Sequence, residues 1–141
     1  MEKREILETW YQRVWVEGDL DAIDDMFRPD TQAAGLIPEM QMGPDEFREL
    51  VPMFLTLVES PVVTLDKVME DGDWVSALYS MHVTDSNSGK PVMGAGQLFV
   101  RFSGDKMVET YNSFDFMGFF EQIGLLPEQS LALCLTGQKI G

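Results

Sequence analysis

Cysteine, histidine and basic side chains are scarce in this sequence of 141 residues. The single cysteine, Cys134, excludes an internal disulfide, and its leucine neighbours predict that it is a small buried hydrophobe. The single histidine, His82, and the absence of clustered ligand spacing argue against a metal site. Ten Lys and Arg against 24 Asp and Glu give a net charge of −14, which argues against nucleic acid as a partner. No basic stripe is present that would bind anionic lipid.

The sequence also lacks a long apolar run. Its first ten residues, MEKREILETW, contain no apolar signal region, and no stretch approaches membrane-spanning length. We therefore expect a cytoplasmic protein without a membrane partner. The length and the apolar content of 45% predict one domain, residues 1–141, with a core of its own.

The N-terminal part has apolar residues at three- and four-residue spacing, which is typical of amphipathic helices. Three helices are predicted, over residues 2–17, 19–28 and 44–58. Gly18 is suited to end the first helix, and Pro52 is expected to kink or break the third. Residues 30–43 are predicted to be a loop with at most one short strand.

Beyond Pro61 the pattern changes to alternation. Four strands are predicted, over residues 61–70, 74–84, 92–102 and 107–114, followed by a short helix over 116–122. This order predicts an α+β fold, in which three N-terminal helices pack on a curved antiparallel sheet with a concave interior suited to a small apolar ligand. Gly94 and Gly96 predict a bulge or a strong bend. The outer sheet face predicts a homodimer.

The C-terminal third resembles a known family. The similar stretches are SGKPV at 88–92, FVRF at 99–102, GDKMVE at 104–109 and YNSFDFMGFFEQIGLLP at 111–127. They resemble the SnoaL-like polyketide cyclase family, which has the cone-shaped α+β fold of the nuclear-transport-factor-2-like superfamily. The resemblance implies ring closure by intramolecular aldol condensation, with an aspartate as general base and no cofactor. That aspartate falls on Asp115, although other members of the family are hydroxylases.

Three departures from the family pattern are present. The step Val83-Thr84-Asp85 has an acid where many relatives have a histidine, and residues 32–42 contain no histidine. Tyr111 stands where the family usually has tryptophan. The missing histidines favour an alternative function, a non-catalytic module that binds a small molecule or dimerises.

Asp115 lies between Phe114 and Phe116 and has two interpretations. As a structural residue it caps the helix that begins at Phe116. As a catalytic residue it lies in a phenyl-lined pocket, where desolvation raises its pKa and lets it take a proton from a carbon beside a carbonyl. His82 is either an exposed residue on the outer face of its strand or an acid–base partner of Asp115. A hydrolase with an Asp–Arg–Asp relay would use Arg101, whose partners the sequence does not fix.

A ligand pocket is predicted beside Asp115. Its expected residues are aromatic side chains and possible donors to a developing enolate: Tyr111, Asn112, Phe114, Gln97, Tyr79 and Trp15. Each is equally explicable as an ordinary strand or core residue, and Trp15 in particular is expected in the core.

Overall fold

The computed structural model describes residues 1–141. It contains five strands and five α-helices. The strands are β1 (Phe27–Ala34), β2 (Val58–Asp71), β3 (Trp74–Asp85), β4 (Pro91–Ser103) and β5 (Lys106–Phe114). The helices are α1 (Lys3–Trp10), α2 (Asp21–Met26), α3 (Pro44–Leu55), α4 (Phe116–Gln122) and α5 (Ser130–Leu135). None of the helices is long and apolar enough to cross a membrane.

The sheet has the strand order β1-β5-β4-β3-β2. The four predicted strands form an antiparallel meander, β2 to β5, as expected. The prediction of a fully antiparallel sheet is wrong, because β1 pairs with β5 in parallel and makes the sheet mixed. β1 occupies residues that were predicted as the end of the second helix and a loop. Pro29 cannot continue a helix, and the Thr31 hydroxyl ties this segment to β5 by donating to the Met107 carbonyl at 2.7 Å.

The helices also differ from the prediction in detail. The first helix changes after Trp10 into a π-helical segment, Tyr11–Val16, in which the Glu17 amide donates to the Gln12 carbonyl at 2.9 Å. Gly18 follows with φ of +69°, a left-handed conformation that suits glycine. Helix α3 continues through Pro52 without a break and ends at Leu55, because Val58 already belongs to β2.

The two faces of the sheet have different surroundings. The inner face, which the helices cover, carries the odd-numbered residues of β3 and the even-numbered residues of β4, and most of them are buried. Trp10 stacks on Phe27 in the core with ring centroids 4.5 Å apart. Trp74 lies outside the core and stacks on Phe99 on the outer face. The reason is strand alternation, which sends every second side chain away from the helices.

Gly94 and Gly96 form no bulge between β3 and β4. Both pair in unbroken register with β3, opposite Met81 and Tyr79. A Cβ atom at Gly94 would collide with the ring of Phe114, and one at Gly96 would collide with the Tyr79 side chain. The two glycines therefore make room for aromatic rings on the inner face.

The C-terminal helix α5 is apolar in sequence but largely exposed. Leu131 is 47% and Leu135 80% exposed on it. The prediction that Cys134 is buried is wrong, because its side chain lies on an exposed face of this short helix.

Candidate ligand-binding site

A cavity of about 30 Å³ lies between the N-terminal helix and the inner face of the sheet. We call it the inner cavity. Nine residues line it: Tyr11, Trp15, Leu36, Phe54, Tyr79, Met81, Asn112, Phe114 and Phe116. None of them carries a formal charge at neutral pH, so the site is suited to an uncharged ligand. Of the predicted pocket residues, Trp15, Tyr79, Asn112 and Phe114 lie here.

Three polar groups meet in the inner cavity. The Tyr79 hydroxyl donates to Oδ1 of Asn112 at 2.9 Å. Tyr11 lies against Tyr79 with ring centroids 4.8 Å apart, and its buried hydroxyl makes no well-aligned hydrogen bond, although Tyr79 and Asn112 lie close enough to affect its pKa. Burial raises the pKa of Tyr79 to about 12 and the pKa of Tyr11 well above its usual value. Both hydroxyls are therefore neutral donors at physiological pH.

Tyr11 was not predicted as a site residue. In the sequence it is one of several apolar or aromatic residues on the first helix, and only its hydroxyl distinguishes it. The structure adds that Tyr11 and Trp15 both belong to the π-helical segment and both line the inner cavity. Short π-helical turns are rare and occur frequently at functional sites.

The ring of Phe114 occupies most of the space over Gly94. It lies 4.9 Å from the ring of Phe116 and 6.3 Å from the rings of Tyr79 and Phe54, measured between centroids. Because Gly94 has no side chain, this ring reaches the sheet itself. Phe114 thus limits the volume of the inner cavity.

Asp115 does not line the inner cavity. Its side chain is exposed, and Oδ1 accepts a hydrogen bond from the Gly118 amide at 2.9 Å, so that it caps α4. The residues that precede it alternate: Asn112 and Phe114 face inward, and Ser113 pairs with Gln97 on the outer face. Asp115 lies on the same outer side as Ser113, and with Gln97 and Ser113 it lines a shallow depression there. The geometry agrees with the capping interpretation.

The other predicted site residues lie on the outer face. His82 is exposed between Val62 of β2 and Met93 of β4. Gln97 and Tyr111 line a separate depression of about 300 Å³. Strand alternation separates these three side chains from Tyr79 in the inner cavity, whereas Asn112 contributes to the lining of both the inner cavity and this depression.

Arg101 pairs with a glutamate on the same outer face. Its Nε donates to Oε1 of Glu109 at 2.6 Å, and the Tyr111 hydroxyl donates to Oε2 at 2.7 Å. Hydrogen bonding from Arg101, and then from Tyr111, lowers the pKa of Glu109. This pair accounts for Arg101 without a second aspartate, so the structure contains no Asp–Arg–Asp relay around it.

Asp85, which the family resemblance places where many relatives have a histidine, closes a turn. It accepts hydrogen bonds from the Ser88 hydroxyl at 2.6 Å and from the Asn87 amide at 3.1 Å. These hydrogen bonds lower the pKa of Asp85, and the bond from the Ser88 hydroxyl has the largest effect. Asp85 therefore stabilises the β3–β4 connection.

No group of three or more His, Cys, Asp or Glu side chains is arranged to hold a metal ion.

An apolar groove of about 560 Å³ lies on the surface between α3 and α4. Its lining residues are mostly apolar: Leu50, Pro52, Met53, Phe54, Thr56, Leu57, Phe116 and Phe120. Phe54 and Phe116 line both this groove and the inner cavity. The two spaces are therefore separated by a shared wall of two phenyl rings.

The chain is similar to one family of domains. A model of the SnoaL-like domain matches residues 7–110. The match ends before Tyr111, so the motif around Asp115 lies outside it. No curated protein matches the sequence.

Solved structures with this fold are numerous. IdmH of Streptomyces antibioticus, a candidate polyketide cyclase, superposes with a TM-score of 0.78 at 15% identity, over 88% of this chain and 99% of that one. A candidate polyketide cyclase of Acidithiobacillus ferrooxidans gives 0.72 at 20% identity, over 89% and 99%. A protein of Catenulispora acidiphila with a ketosteroid isomerase-like fold, in complex with trimethylamine, gives 0.72 at 17% identity, over 87% of this chain and 95% of that one. At these identities the likeness concerns the fold alone.

Proposed function

Because the chain belongs to the SnoaL-like domain family, we propose that it binds an apolar small molecule with a carbonyl group in the inner cavity. The observation that carries this proposal is the lining, in which aromatic and aliphatic side chains surround three uncharged polar groups. Binding sites for small molecules typically combine apolar walls with a few such groups. The chemistry that fits this site is cofactor-free conversion of a ketone or ester, stabilised by neutral hydrogen-bond donors.

A ligand larger than a few atoms must displace the rings that fill the site. The inner cavity of about 30 Å³ has room for little more than one water-sized group. Phe114 and Phe116 are both only partly buried, so their rings are the side chains best placed to move. Phe114→Ala is then expected to enlarge the site without removing its polar groups.

An apolar fluorescent probe, N-phenyl-1-naphthylamine, tests this proposal. Its fluorescence should rise on binding to the native chain, and its affinity should increase in Phe114→Ala. Phe99→Ala, on the outer face, is the matched control and should leave the affinity unchanged. If Phe99→Ala lost probe binding and Phe114→Ala left the affinity unchanged, the binding site would be on the outer face and the proposal would be refuted.

A second candidate function is proton abstraction by Asp115. The motif around Asp115 and the polyketide cyclases among proteins of this fold favour it. The substrate would have to reach the carboxylate from the outer side, where Gln97 and Ser113 line the adjacent depression. His82, on the same face, would then be its acid–base partner.

Hydrogen–deuterium exchange at the carbon beside a ketone, followed by NMR, measures this step directly. Asp115→Asn is the appropriate variant because asparagine is as good a helix cap as aspartate. Exchange that the native chain accelerates and Asp115→Asn does not would support the base role. Equal exchange in both would remove it.

We also propose a homodimer through the outer face. Several large apolar side chains are exposed there: Val62, Met69, Leu78, Met93, Phe99 and Tyr111. At the outward positions of the two central strands, β3 and β4, the only formal charge is Arg101, which pairs with Glu109 of β5. The middle of the outer face, on β3 and β4, therefore carries no unpaired charge although the net charge of the chain is −14, and a second copy can approach there with little repulsion.

Light scattering after gel filtration tests the dimer. Phe99→Glu should yield a monomer, because it places two like charges in a twofold contact. Leu135→Glu, on α5 and away from this face, should leave the mass unchanged. A monomeric native chain would refute the proposed interface.

A further inference from the structure

We infer that the groove between the first helix and the edge of β2 binds a short, extended, basic peptide segment, which adds to the sheet as a further strand beside β2. We call this space the edge groove. Its volume is about 490 Å³, and residues of both elements line it: Arg4, Glu8, Thr9, Tyr11, Gln12, Arg13, Val63, Thr64 and Leu65. The inference is independent of the ligand proposed for the inner cavity.

The position of β2 in the sheet leaves one of its sides open. β2 is the last strand in the order β1-β5-β4-β3-β2, so only β3 pairs with it. The backbone hydrogen bonds that lie outside the helices and strands involve no residue from Val58 to Asp71. The amides and carbonyls on the outer side of an edge strand are available to pair with another chain.

The part of β2 that borders the edge groove exposes its backbone there. Val63, Thr64 and Leu65 are consecutive, and all three line the groove. Successive side chains of a strand point to opposite faces, so a space over one face would meet only alternate residues. The edge groove therefore runs along the backbone edge. Between two irregularities, β2 keeps an unbroken register with β3 from Val62 to Leu65, so this edge is regular.

The first helix forms the opposite wall and sets the length of the bound segment. Arg4, Glu8 and Gln12 recur at four-residue spacing and line the groove on one side of the helix. From Arg4 to Gln12 the helix rises by about 12 Å at 1.5 Å per residue. About four residues of extended chain, at roughly 3.3 Å each, span this distance. The helical wall and the regular part of β2 thus match in length.

The charges around the edge groove favour a basic partner. Arg4 pairs with Glu8 at 3.0 Å, and Arg13 pairs with Asp19 at 2.8 Å, so neither arginine favours an acidic partner. β2 itself carries four acidic residues and one basic residue: Glu59, Asp66, Glu70, Asp71 and Lys67. A second copy would bring the same acidic edge against this one, and like charges on paired strands are destabilising. The acidic edge therefore resists self-pairing but attracts an extended segment that contains lysine or arginine.

A fluorescein-labelled peptide, Lys-Lys-Val-Thr-Val-Thr, tests the inference by fluorescence polarisation, since alternating Val and Thr favour an extended chain. It should bind the native chain. The same peptide with N-methyl groups on its Val and Thr amides keeps the charge but lacks the donors for β2, and it should bind at least about tenfold more weakly. Glu-Glu-Val-Thr-Val-Thr should also bind more weakly than the parent peptide. Amide hydrogen exchange of residues 62–65 should slow when the parent peptide is bound.

A pair of matched double variants locates the binding site. Gln12→Lys with Thr64→Lys places positive charge on both walls of the edge groove and should weaken binding of the parent peptide about tenfold. Gln138→Lys with Thr136→Lys makes the same changes at exposed positions beyond α5 and should leave the affinity unchanged.

Four results would overturn the inference. Equal binding of the parent and N-methylated peptides would show attraction by charge alone. Equal losses in the two double variants would show that the peptide does not occupy the edge groove. Failure of the parent peptide to bind would remove the site. Self-association of the native chain that disappears in Gln12→Lys with Thr64→Lys would assign the edge groove to a second copy.

Discussion

Replacing Gly94 with alanine tests whether the ring of Phe114 fills the inner cavity. The added Cβ atom would collide with the end of that ring. Over-packing of this kind typically costs about 1–3 kcal/mol. The backbone of Gly94 does not adopt a positive φ, so alanine is not strained by its conformation.

The sign of the effect should depend on Phe114. In the Phe114→Ala background the collision is gone, and Gly94→Ala should stabilise the fold by about 0.4–1 kcal/mol through the less flexible unfolded chain. The difference between the two backgrounds is a coupling energy, and a cost of about 1–3 kcal/mol in one with a gain of about 0.4–1 kcal/mol in the other gives about 1.4–4 kcal/mol. Phe114→Ala alone should cost about 3 kcal/mol or less, because the side chain is only partly buried.

Urea unfolding, followed by tryptophan fluorescence, measures the four stabilities of this cycle. Gly94→Ala combined with Phe99→Ala is the control, since Phe99 lies on the opposite face of the same strand. There the cost of Gly94→Ala should equal its cost in the native chain. Additive effects of Gly94→Ala and Phe114→Ala would refute the placement of the ring over Gly94.

Further predictions concern the buried tyrosines and the helix cap. Tyr11→Phe should raise the free energy of unfolding by about 1–3 kcal/mol, measured in urea, because it removes an unpartnered buried hydroxyl; destabilisation would show that the hydroxyl is already satisfied. The raised pKa of Tyr79, about 12, means that its contribution to stability is complete below the unfolded pKa of about 10 and is lost as the pH rises towards 12. Melting temperatures from pH 8 to 11.5 should therefore fall above pH 10, and fall less steeply in Tyr79→Phe; parallel curves would contradict this. Asp115→Ala should cost about 1 kcal/mol, whereas Asp115→Asn should be nearly neutral in the same urea assay; equal losses in both would show that the cap contributes nothing.

The strands of the meander could be predicted because their signal is local. Alternation of apolar and polar residues, with Gly72, Gly89 and Gly104 in the turns, fixes β2 to β5 within a few residues. Strand β1 has no such alternation and follows a helical segment directly. Its position depends on pairing with β5, which is about eighty residues away in the sequence, and so it could not be read from its own residues.

The residues of the candidate site could likewise be predicted only in part. The sequence placed Tyr79, Asn112, Phe114 and Trp15 near a ligand, and the structure brings these four together in the inner cavity. It also expected Tyr111, Gln97, His82 and Asp115 at this site, and the structure places them on the outer side. In a strand, a side chain is on the inner or the outer face according to its register, and a shift of one residue exchanges the faces.

The amino-acid sequence by itself determined the α+β class, the family and the composition of the interior, because periodicity and composition act over neighbouring residues. Only the tertiary structure decided that Asp115 caps a helix, that Gly94 accommodates the ring of Phe114, and that Tyr11 is buried without a partner. Each of these facts depends on how segments distant in sequence pack against one another. That packing follows from the free energy of the whole fold and has no signature within a single stretch of chain.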